Sequence, residues 1–209
     1  VLDQVAGDRL ETLAVLVLAT GLRRGEALRL RWDDVDLDVG ALRVRKAKTK
    51  AGTGRIIGLP EDVVASLRAH RSRQLTERAA ALIWEDAGLI FATSIGTEID
   101  GRNALRWWHR HTKAAGIGRR RFHAMRHTAA TLMLNHDVRL EVVSQTLGHA
   151  AYAITADFYA KVKPDLQRSA ADAMQSVLAG LTRAPALSDS VSSGPGITSR
   201  GPAERRDSL

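Results

Sequence analysis

Cysteine is absent from the chain, which excludes disulfides, thiolate zinc sites and cysteine nucleophiles and leaves oxygen or nitrogen groups for any nucleophilic role. Its absence fits a reducing compartment. No apolar run approaches the eighteen or so residues of a membrane span, and the N-terminus carries no charged-then-apolar leader pattern. The expectation is a soluble, cytoplasmic protein with no membrane partner. Tyrosine is scarce, with Tyr152 and Tyr159 the two in the sequence. An Asp/Glu cluster suited to a pair of magnesium ions is also missing, because DDVDLD at residues 33–38 reads as a turn after Trp32. No internal repeat is visible, and neither a metal nor a cofactor is expected.

What is present is basic and moderately apolar. Lys and Arg total 31 against 23 Asp and Glu, a formal charge of +8 with a pI near 10.5, which favours a polyanionic partner such as nucleic acid. A hydrophobic content of 44% in 209 residues suffices for one well-filled domain with some excess. Residues 1–183 are read as that domain. From Ser188 onward the sequence turns to Ser, Gly, Pro and Arg, and residues 184–209 are read as a disordered tail.

Apolar residues recur at helical spacing in LETLAVLVLA, VVASLRAHRSRQL, ALRWWHRHTKAAG, AATLMLNH and LEVVSQTLG, predicting five helices. A sixth is expected after Pro164, a residue suited to a first helical turn. In ALRVRKAKTKAGTGRIIGLP, Leu42, Val44, Ile56 and Leu59 flank a Gly-, Lys- and Thr-rich centre, predicting a two- or three-stranded hairpin with a loose tip. The fold class is α+β, predominantly helical with a small antiparallel sheet.

Four segments offer the polar groups that phosphoryl transfer requires. In TGLRRGEALRLRW, Leu16, Leu18 and Leu22 on one side and Leu28 and Leu30 on the other anchor a turn that holds Arg23. A guanidinium there presents a planar, permanently charged fork to two phosphate oxygens at once, and Glu26 is placed to orient it. The plainer alternative is a helix start with Glu in its first turn and a solvated arginine pair. In FHAMRHTAATLM, Phe122, Met125, Ala129 and Leu132 define a buried face, and His123 and Arg126 share a neighbouring one. His127 raises a zinc option, but no third ligand lies nearby, and it reads as a structural histidine.

In SQTLGHAAYAITADFYAKV, Leu147 and Gly148 read as a helix end with glycine as the left-handed cap, followed by His149 and, ten residues on, Tyr159. A tyrosine is ordinarily a half-buried core residue, and on composition Tyr152 and Tyr159 stand equal. At the hairpin tip Lys46, Lys48 and Lys50 crowd one turn. Such a tip either protects an exposed edge or carries a lysine that delivers a proton or charge to a scissile bond.

Together these segments resemble the tyrosine recombinase, or phage integrase, family over roughly Leu10 to Val162. TGLRRGEALRLRWDDVDLDVGALRVRKAKTK is similar to the family's first-arginine box and hairpin, HAMRHTAATLML to its H-x-x-R box, and LGHAAYAITADFYAKV to its LGH box with the downstream tyrosine. Order and spacing agree as well as content.

The resemblance implies the family's catalytic-domain fold and makes Tyr159 the nucleophile. Arg23 and Arg126 become the phosphate clamp, with His123 and His149 completing its hydrogen-bonding shell and Glu26 supporting Arg23. The family's lysine opens the turn just before a Thr or Gly, as Lys48 does before Thr49, with Lys50 as the alternative. Site-specific cutting and rejoining of DNA through a 3′-phosphotyrosine follows, without metal or ATP. The implied partners are double-stranded attachment sites, a homotetramer on DNA, and accessory DNA-bending or excisionase proteins, with the protein on the nucleoid when DNA-bound. The family also places a helical core-binding domain before the first-arginine box, and this chain starts almost at that box, so that domain is expected to lie outside it.

Two other readings share the fold or the chemistry. A catalytically idle DNA-binding regulator is disfavoured by the intact set Arg23, His123, Arg126, His149 and Tyr159. A type IB topoisomerase-like nicking enzyme is disfavoured by the LGH box and the short hairpin.

Overall fold

The computed structural model describes residues 2–47, 49–149 and Met174. The expected helix after Pro164, the tail at 184–209, Lys48, Tyr152 and Tyr159 lie outside the described residues.

A short helix, α1 (Leu2–Val5), precedes α2 (Glu11–Thr20), on which Thr12, Leu13, Ala14, Leu16, Val17 and Thr20 are all buried. A helix covered on nearly every side belongs at the centre of a domain, and α2 packs against α1, α4 (Glu61–Ala80) and α6 (Ala124–Asn135). Gly21 ends α2 in the left-handed region at φ 65°, its N–H donating to Val17 O, a conformation that costs glycine little. The chain then turns through Leu22 and Arg23 into α3 (Arg24–Leu28), and Leu22, Leu28 and Leu30 are buried as anchors of the turn.

The sheet is a three-stranded antiparallel meander of β1 (Val35–Asp36), β2 (Ala41–Arg43) and β3 (Ile56–Gly58). The DDVDLD segment, expected as a turn, instead forms a 3-10 turn (Trp32–Asp34) followed by β1, which pairs Val35 with Leu42. Leu42 also pairs with Ile57, and directly opposite residues share a face. Ile57 is therefore the inward residue at 3% exposure, and Ile56, one of the residues that mark the hairpin in the sequence, stands at 64% beside Arg43.

The hairpin tip is not loose over its described residues. A 3-10 turn spans Lys50–Gly52, the Thr49 hydroxyl oxygen accepts from Gly52 N–H, and Thr53 Oγ1 donates to Thr49 O while accepting from Ala47 N–H. Threonines satisfying backbone groups across a turn hold its shape without a core.

Helix α4 buries Val63, Leu67, His70 and Gln74 along one stripe, and His70 and Gln74 bond the carbonyl of Ile90. Asp100 caps α5 (Gly101–Ala114) by accepting from Arg102 and Asn103 N–H. That helix buries Ala104, Trp107, Trp108 and Thr112 and exposes Arg102, Arg106, Arg110 and Lys113. On α6, Met125, Ala129, Ala130 and Leu134 are buried, while Leu132, expected on that face, is 48% exposed. The inward stripe drifts toward Ala130 and Leu134 because a second cluster, with Val143 and Leu147 of α7 (Leu140–Leu147), packs there. Among the described residues no helix is long and apolar enough to cross a membrane.

Candidate functional site

Glu26 is buried in the first turn of α3, with its side chain 4% exposed, and is held by two arginines. Its Oε1 accepts from Arg23 Nη1 at 2.9 Å and its Oε2 from Arg55 Nη2 at 2.6 Å, and Oε2 also takes Arg23 N–H at 3.1 Å. Burial works to raise its pKa, but the hydrogen bonds from Arg55 and Arg23 and the Arg55 charge outweigh it and hold the carboxyl below its ordinary range. The result is a carboxylate that fixes Arg23 at the mouth of the α2–α3 turn. Arg23 itself keeps 22% side-chain exposure, so its guanidinium is positioned yet reachable from solvent.

Arg126 is held differently. It is 3% exposed, and its Nη1 donates to Gly21 O at 2.8 Å and its Nη2 to Leu147 O at 2.6 Å. Both acceptors are neutral carbonyls at helix ends, so the guanidinium is oriented while its charge stays available to an anion. Burial first, then the nearby Arg23, push its pKa down to about 10, with Glu26 opposing. It remains a cation at neutral pH.

His123 precedes the first turn of α6 and stacks edge-on with His127, ring centres 4.7 Å apart. Its pKa is lowered by partial burial, then by His127, Arg126 and Arg23. His149 follows Gly148, which ends α7 in the left-handed region at φ 66°. The His149 N–H donates to Ser144 O at 3.2 Å. Burial, then the charges of Arg126, Arg23, His123 and Arg55, push the imidazole down to about 4. Both rings are thus neutral at pH 7, and each offers one N–H donor.

The structure therefore brings Arg23, Glu26, His123, Arg126 and His149 from three separate segments into one electrostatic neighbourhood. Lys50 sits exposed in the hairpin turn, and Lys46 is exposed before it. Among the described residues no group of three or more His, Cys, Asp or Glu is arranged to hold a metal ion.

Two features escape a reading of the sequence. Arg55, which in sequence is one residue of a glycine-rich tip, has a side chain only 6% exposed and reaches Glu26, Gly52 O and Thr146 O. Nothing local marks it, since its partners lie as far as 91 positions away. The second is the basic face of α5, whose signal is present as Arg102, Arg106, Arg110 and Lys113 at near-i+4 spacing. Next to that face a cleft of about 590 Å³ runs past Arg24, His109, Arg119, Arg121 and Phe122 to His123. Three arginines, Arg24, Arg119 and Arg121, line this cleft together with His123, and a cationic groove of this kind suits an anionic backbone.

The phage integrase family profile matches residues 3–165. A tyrosine recombinase XerC-like protein of Caldanaerobacter subterraneus subsp. tengcongensis is 34% identical over 197 residues, covering 82% of this chain and 50% of the relative. Tyrosine recombinase XerD of Pseudomonas putida is 30% identical over 171 residues, covering 80% and 54%. The crystal structure of XerA recombinase superimposes with a TM-score of 0.67 at 27% identity, covering 80% of this chain and 60% of that one. The Tn1549 transposon integrase bound to transposon right end DNA shares the fold, with a TM-score of 0.68 at 23% identity over 83% of this chain and 62% of that one. The chain spans about half the length of the curated relatives it matches. With a family profile over most of its length, relatives at 30% identity and above and the recombinase catalytic-domain fold, the chain belongs to the phage integrase family.

Proposed function

We propose that this chain is the catalytic part of a site-specific recombinase that cuts and rejoins double-stranded DNA through a 3′-phosphotyrosine. The observation that carries this reading is that Arg126, one turn from His123, donates to Gly21 O two residues before Arg23 and to Leu147 O two residues before His149, so that the three segments meet at one guanidinium. In-line attack on a phosphodiester builds negative charge on the non-bridging oxygens. Arg23 and Arg126 stabilise that charge as fixed cations, and the neutral histidines donate hydrogen bonds to the same oxygens.

Tyr159, assigned by its match to the family's downstream tyrosine, supplies the nucleophile. Its phenol gives up its proton to solvent as Oη bonds to phosphorus, the P–O5′ bond breaks, and the departing 5′ oxygen takes a proton from the hairpin lysine, Lys48 or Lys50. The phosphotyrosine conserves the bond, so a 5′ hydroxyl from a second duplex reseals it and releases the tyrosine without ATP. Strand exchange requires partner copies, since one active site cuts one strand, and a tetramer around two attachment sites is the assembly this implies. The basic face of α5 contributes phosphate contacts along the duplex.

The test is incubation with a nicked duplex taken from the DNA flanking the gene, in excess EDTA. A denaturation-resistant protein–DNA adduct is expected, because the charge around the phosphate comes from side chains. Adduct formation abolished by chelation and restored by magnesium or zinc contradicts the proposal.

A further inference from the structure

One buried guanidinium joins three segments that the sequence keeps far apart. Arg55 leads into β3, and its Nη2 donates to Glu26 Oε2 at 2.6 Å, its Nη1 to Gly52 O in the hairpin turn at 2.8 Å, and its Nε to Thr146 O at the end of α7 at 3.0 Å. Its side chain is 6% exposed, so solvent does not compete for these bonds. Packing reinforces them: a Cβ on Gly148 would come within 3.0 Å of Arg55 Nη1 and 2.8 Å of Gly52 Cα, so the hairpin turn rests directly on the residue before His149. A second tie lies beside the first, where Thr49 Oγ1 donates to Gly148 O at 3.1 Å.

Val44 and Ala47 tie the base of the hairpin to the hydrophobic core, and beyond them the turn is set by short bonds through Thr49 and Thr53. What sets the turn's position relative to the arginine and histidine pocket is Arg55, with Thr49 assisting. We propose that Arg55 is a positioning residue that docks the lysine-bearing hairpin turn onto the α7–His149 corner, so that the lysine meets the leaving 5′ oxygen. A lysine in its place keeps the charge opposite Glu26 but lacks the planar fork that reaches three acceptors. This inference rests on the recombinase reading above.

The discriminating substrate carries sulfur at the bridging 5′ position, which leaves without a proton donor because thiols are far more acidic than alcohols. Single-turnover cleavage by the whole chain is measured at saturating DNA on the ordinary and the sulfur-bridged substrate. Arg55→Lys is expected to slow cleavage of ordinary DNA by tens of fold and to recover to within a few fold of the parent on the sulfur substrate. A loss equal on both substrates means that Arg55 acts only through general structure or through Arg23, and overturns the inference, as does no loss at all. Should Arg55→Lys fail to fold, Thr49→Val cuts the neighbouring tie at a partly exposed residue. A smaller, sulfur-rescued loss there supports the inference, and a loss without rescue, or none, overturns it. If the unaltered chain forms no covalent adduct on either substrate, the recombinase reading itself falls and the inference with it.

Discussion

Arg126 hangs from Gly21: its Nη1 donates to the glycine carbonyl at 2.8 Å, although the two lie 105 positions apart. Gly21 stands two residues before Arg23, so one backbone carbonyl sets the spacing between the two arginines assigned to the phosphate. The glycine is required twice over. Its φ is 65°, and a Cβ would run into Leu147 Cδ2. A left-handed non-glycine residue costs about 1–2 kcal/mol and overpacking about 1–3 kcal/mol. Gly21→Ala is expected to lower stability in urea titration by about 2–5 kcal/mol and to reduce cleavage in proportion to the fraction that unfolds. An unchanged denaturation midpoint would contradict this account of the turn.

The positive field also makes a pH prediction. His149 is held near 4 and His123 below its ordinary value, against 6.5 for the free side chain. A histidine whose folded pKa is depressed leaves the unfolded chain holding more protons between the two values, so stability falls as pH drops from 6.5 toward 4. Replacing His149 with Gln should flatten part of that fall, read as the difference between the two denaturation-versus-pH curves. Parallel curves would mean that the imidazole does not sense the arginines.

Much of this site is legible in the sequence because its residues sit in dense local motifs. The Leu-Gly-His run marks Gly148 as a helix cap, and the glycine closes α7 in the left-handed region; the five apolar runs fold as helices. What escapes depends on partners distant in sequence. Arg55 looks like one more basic residue in a turn, and only Glu26 and Thr146 reveal it. Ile56 and Ile57 are equally apolar, so which one faces inward is settled by the pairing with Leu42. Leu132 fits the helical period of α6, yet the second cluster around Val143 and Leu147 selects Leu134.

The basic face of α5 predicts how DNA affinity responds to salt. Removing one cation that neutralises a phosphate should reduce the slope of log affinity against log salt by about 1. Arg106→Ala and Arg110→Ala, both at exposed positions, are expected to weaken binding uniformly across sequences and to shallow that slope. A slope unchanged by both substitutions would remove α5 from the interface.

The lysine assignment is tested with the sulfur-bridged substrate. Lys48→Ala should slow ordinary cleavage and be rescued by sulfur, whereas Arg23→Ala and Arg126→Ala should not, since they act on the non-bridging oxygens. Rescue of Lys50→Ala in place of Lys48→Ala makes Lys50 the acid. Rescue of neither reduces the tip to a solvated charged turn.

Attack of Tyr159 on DNA is central to the proposed chemistry, and it is tested most directly by trapping the covalent adduct on a nicked suicide substrate with each tyrosine replaced in turn. Tyr159→Phe should abolish the adduct, because the attacking oxygen is gone, while Tyr152→Phe should retain it. An adduct that survives Tyr159→Phe and disappears with Tyr152→Phe would contradict the assignment.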